Sequence, residues 1–127
     1  MNYGFSKTVS LTYEQAIEKV TDELKQEGFG VLTTIDVKET LKKKLNVDFT
    51  RYVILGACNP SFAYQSLQFE QEIGLLLPCN VIVYEKDDTV VVAAFDPMLM
   101  MKVLENQNME PIAEEVERRL RRVIEAI

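Results

Sequence analysis

The chain contains no histidine and no tryptophan among its 127 residues. The missing histidine excludes Ser-His and Cys-His nucleophile pairs and removes the commonest general acid–base group. It also removes the commonest protein ligand of zinc, copper and iron. Without tryptophan, one of the residue types most enriched at binding hot spots is gone. Cysteine is scarce, at two residues, Cys58 and Cys79. Positive charge is in deficit: the formal net charge is −6, so neither duplex nucleic acid nor an anionic membrane attracts the chain at long range. No P-loop, dinucleotide fingerprint, CxxC or GxSxG occurs. The most apolar stretch, Ile73 to Tyr84, is too short to span a bilayer and contains Pro78. The start, MNYGFSKTVS, has no basic segment followed by an apolar one, so no signal peptide is expected. A cytoplasmic location with reduced thiols is the expectation.

What is present is a 47% hydrophobic, 27% charged chain of single-domain size, so residues 1–127 are read as one globular domain. Tyr3, Phe5, Val9 and Leu11 alternate with polar residues, the pattern of a half-buried strand. Thr12 and Gln15 form a capping box before a stripe of Ala16, Ile17, Val20 and Leu24, and Gly28 stops that helix. A second strand is predicted over residues 29–35, with Phe29, Val31, Thr33 and Ile35 on one face. Asp36 to Glu39 reads as another capping box, for a short helix with Val37, Leu41 and Leu45 on its inner edge. Residues 51–58 make a third strand. Asn59-Pro60 has N-cap and first-turn chemistry for a helix over roughly 61–70. Two further strands, near residues 80–85 and 89–95, are joined by the turn Lys86-Asp87-Asp88-Thr89. Asp96-Pro97 starts a Met-rich helix to about Asn106. Pro111 opens the last helix, striped with Ile112, Val116, Leu120, Val123 and Ile127.

This order, strand-helix-four strands-helix with short inserted helices, predicts an α+β fold: an antiparallel sheet with two long helices on one face. The third and fifth strands are apolar on both sides, so the second face also needs cover. The short helices can supply part of it and a second copy of the chain the rest, as a C2 homodimer with Met98, Met101 and the fifth strand as contacts.

The motifs Cys58-Asn59-Pro60 and Leu77-Pro78-Cys79-Asn80-Val81, with Gly28-Phe29 and Tyr52-Val53-Ile54-Leu55, resemble the bacterial and archaeal domain-of-unknown-function family 302. The resemblance covers nearly the whole chain. It implies a fold like the half-repeat of the TATA-binding protein and no established activity.

The arginines Arg118, Arg119, Arg121 and Arg122 follow Glu114, Glu115 and Glu117 at helical spacing, which marks a solvated, ion-paired helix face rather than a nucleic-acid patch. Met98, Met100 and Met101 offer thioethers, which suit Cu(I), but methionines more often fill gaps or make adaptable contacts. The two cysteines remain. If the third and fourth strands pair antiparallel, Cys58 and Cys79 share one end of the sheet, since neighbouring strands lie ~5 Å apart. Parallel strands would separate them by roughly 17–20 Å. Cys58 also precedes a helix N-terminus, where a thiolate could be stabilised.

Three readings follow. The first is a cytoplasmic binding or interaction module, homodimeric, with a partly apolar pocket for a small-molecule ligand bordered by Cys58, Asn59 and Cys79. The second is a thiol-dependent redox or soft-metal protein with Cys58 and Cys79 as ligands; two thiols make only half of a tetrahedral site. The third is a histidine-free enzyme using carboxylates or tyrosines such as Tyr52 and Tyr64. No catalytic residue is assigned, and no cofactor, nucleic-acid partner or membrane contact is expected.

Overall fold

A computed structural model describes residues 1–127. Its elements are β1 (Gly4–Val9), α1 (Tyr13–Gln26), β2 (Gly30–Asp36), α2 (Val37–Leu45), β3 (Tyr52–Cys58), α3 (Pro60–Phe69), β4 (Cys79–Lys86), β5 (Thr89–Phe95), α4 (Met100–Val103) and α5 (Glu110–Glu125). Short 3₁₀ segments lie at Gln71–Leu76, Pro97–Leu99 and Gln107–Met109. The five strands form one sheet in the order β1-β5-β4-β3-β2, antiparallel throughout. This is the α+β architecture expected from the order of elements. No helix is long and apolar enough to cross a membrane.

The local chemistry explains the helix ends. Thr12 Oγ1 accepts from the Gln15 N–H at 3.1 Å and Gln15 Oε1 accepts from the Thr12 N–H at 3.1 Å, so the first capping box is complete. The second is half-made: Asp36 accepts from the Glu39 N–H at 2.9 Å, but the Glu39 carboxylate turns to Lys43 instead. Asn46, at φ 54°, closes α2. That helix buries no residue, and Leu45 is exposed rather than on an inner edge. The Met-rich helix is shorter than expected. It is a 3₁₀ turn followed by Met100–Val103, because the chain leaves helical geometry at Leu104, which is extended.

The core lies between one sheet face and the two long helices. Val53, Leu55 and Ala57 of β3, Val81 and Val83 of β4, and Val90, Val92 and Ala94 of β5 are buried against Ala16, Val20 and Leu24 of α1. From α5 come Ile112, Val116, Leu120 and Val123. Each such valine, leucine or isoleucine contributes about 1.5–3 kcal/mol through removal from water. At one end Arg51 binds Glu85 with two 2.8 Å hydrogen bonds and also pairs with Glu14, which ties α1 to the sheet.

The opposite sheet face carries Ile35, Tyr52, Ile54, Ile82, Tyr84, Val91, Ala93 and Phe95, as the register and strand alternation dictate. The short helices do not cover it as anticipated. α3 and α4 pack against α5, on the helix side of the sheet, and only α2 packs against β2 and β3. Met101, expected at a second-face contact, packs against the core instead. In β2 a bulge between Val31 and Thr33 breaks the alternation and leaves Leu32 in solvent.

Candidate functional site

At the end of β3 the chain turns sharply into α3. Asn59 caps that helix, its Oδ1 accepting from the Phe62 N–H at 3.4 Å. Its Nδ2 donates to the Glu27 carbonyl at 3.4 Å, and Arg119 Nη1 donates to the same carbonyl at 3.0 Å. The end of α1, the start of α3 and the middle of α5 therefore meet at one oxygen. Gly28, next in the chain, has φ +86°, and a Cβ there would lie 2.9 Å from Asn59 Nδ2. Both ends of the Asn59 amide are thus committed to the framework. Expected as a ligand contact, this side chain acts first as a splice between three helices.

β4 starts beside the end of β3. Cys79 is the cross-strand partner of Ala57, so the antiparallel pairing does bring both cysteines to one end of the sheet. Cys79 faces the helices, and Cys58, the last residue of β3, lies near enough to perturb its thiol. Cys79 is buried and Cys58 is half-buried. Burial pushes the Cys79 thiol up to about 11, with the nearby Cys58 adding to the shift. Burial also raises Cys58 above the ordinary thiol value. Both groups are neutral thiols at pH 7. No group of three or more histidine, cysteine, aspartate or glutamate side chains is placed to hold a metal ion.

Between α3, α5 and this end of the sheet lies a cavity of about 40 Å³. Phe62 and Ala63 roof it, Met100, Met109, Ile112 and Val116 line it, and Cys58, Asn59 and Cys79 border it. Its other polar side chain, Ser66, donates to the Phe62 carbonyl at 2.7 Å. No buried side-chain nitrogen or oxygen is left without a partner, so nothing in the cavity calls for water. A larger cleft, about 610 Å³, lies between β1 and α1, but it is open to solvent and lined mostly by polar residues. The third reading loses its constellation: Tyr52 opens β3 at the far end of the sheet, while Tyr64 is exposed on α3.

Phe62 and Met109 are among the lining residues that escaped the sequence reading. Phe62 follows from the Asn59 cap, which fixes the first turn of α3. Met109 sits in a 3₁₀ turn with no period to reveal its burial.

The fold and this region define a two-layer α+β domain with a small, mostly apolar cavity at one end of its sheet. The chain belongs to the family described as domain of unknown function DUF302, whose model matches residues 5–127. It is similar to the crystal structure of an uncharacterized conserved DUF302 protein from Bacillus stearothermophilus. Identity is 32%, the TM-score is 0.92, and the match covers 99% of this chain and 98% of that one. No curated protein matches.

Proposed function

We propose that the chain is a homodimeric binding module that takes a small apolar ligand beneath α3, beside Cys58, Asn59 and Cys79. The observation that carries this reading is the mostly apolar cavity roofed by the most lightly seated of the longer core-side helices. Of the ten residues of α3, Ser66 alone is buried. The cavity, at about 40 Å³, is smaller than the roughly 300–1,000 Å³ of drug-sized sites. Ligand entry therefore requires α3 to move outward, and its shallow seat makes that displacement inexpensive. The thiol-redox and soft-metal alternative is less favoured, since both thiols are neutral and no third ligand stands with them.

A native mass spectrum of untagged protein tests the proposal. The expected result is a two-chain mass carrying a small apolar adduct. Ala63→Leu, which fills the cavity from its roof, abolishes the adduct and leaves the fold intact. A chain that carries no adduct, or an adduct indifferent to Ala63→Leu, overturns the ligand site.

A further inference from the structure

We propose that the uncovered sheet face is the surface on which a second copy of this chain docks, sheet to sheet, about a twofold axis. This rests on the homodimeric part of the preceding reading and is independent of the ligand.

The central rows of the face are uncharged in a chain of net charge −6, and Lys86 stands only at its rim, beside the β4–β5 turn. Across the rows set by the register it presents Ile35, Ile54, Ile82, Ala93 and Ser6, then Tyr52, Tyr84, Val91 and Thr8. No lysine, arginine, aspartate or glutamate stands in either row. Two copies of an acidic chain repel each other over most orientations. This face lets them approach without opposing like charges.

Its size fits a stable contact. Five strands about 4.8 Å apart and about 20 Å long span roughly 500 Å² in projection. Side-chain relief and the neighbouring Phe49 and Ile35, both exposed, extend the area toward the ~800 Å² per partner of standard interfaces. Its chemistry fits as well. Tyr52 and Tyr84 stack with centroids 5.3 Å apart, and Phe49 lies 6.3 Å from Tyr52. Rigid tyrosines on an aliphatic floor are the composition of interface anchors. Two such sheets stack at about 10 Å in a sandwich with the helices outside.

The exposed α3 side of the molecule, with Leu67, Phe69 and Leu75, is the competing apolar surface. Light scattering from 1 to 100 µM distinguishes them. The wild-type chain is expected at twice its 14.6 kDa mass. Ile82→Lys, at the centre of the face, halves that mass with circular dichroism and cooperative melting retained. Thr8→Arg, at an exposed polar position of the same face that bears no folding burden, raises the dissociation constant at least tenfold. Leu75→Lys changes nothing. A wild-type mass of one chain at 100 µM removes the homodimer altogether. A dimer indifferent to Thr8→Arg, or dissociated by Leu75→Lys, removes this face while the homodimer stands.

Discussion

Cys79 shows how a single side chain couples folding to pH. Its thiol is held up to about 11 in the folded chain, against an ordinary 9.0. Folding favours the neutral form, so the folded chain keeps a proton that the unfolded chain gives up. The stabilisation is complete below about pH 9 and is lost as pH climbs through 11. Its size is on the order of 3 kcal/mol, at about 1.4 per unit. Urea titrations at pH 8 and 10.5 should show a steeper loss of stability for the wild-type chain than for Cys79→Ala. Lysines and tyrosines titrate alike in both, so the difference in slope belongs to the thiol. Equal slopes would mean that Cys79 is far better solvated than its position opposite Ala57 implies.

Among the elements, the β4–β5 hairpin is the one whose geometry is most openly strained. Asp87 and Asp88 have φ of 49° and 65°, the left-handed pair that a two-residue hairpin turn demands. Glycine meets that demand without a Cβ penalty, so Asp88→Gly should raise stability by about 0.5–1 kcal/mol, read as a higher urea midpoint. A lower midpoint would show the aspartate making a compensating bond. The turn itself was legible because four polar residues separate two apolar runs. The long helices were legible too, through apolar stripes and the Thr12 cap. What escaped the sequence was set by distant contacts. Leu32 reads as an ordinary strand residue until the bulge against β3 displaces it. Leu45 keeps the helical spacing of an inner edge, yet no element packs over it. The arginine face was read correctly as ion-paired, but Arg118 takes Glu115, three residues back, and Arg122 reaches across to Glu27. At the candidate site, strand pairing could place both thiols at one sheet end. How close they stand depended on the register of Cys79 with Ala57, which no local pattern encodes.

For the molecule as a whole, charge decides one interaction class. The net charge is −6 and the α5 arginines are occupied by Glu115, Glu117 and Glu27. A random DNA duplex in 150 mM salt should therefore migrate unchanged with low-micromolar protein. Retardation would mean that those ion pairs open to phosphate. The strand order carries a different consequence, one of timing. Gly4 pairs with Phe95 and Val9 with Val90, so β1 leaves the ribosome first and must wait for β5, the last strand made. Meanwhile β2, β3, β4 and β5 can zip up in turn, each beside its predecessor. The first of the five strands to be made is thus the closing piece of the sheet, and a ribosome stalled before β5 holds a strand with nowhere to go.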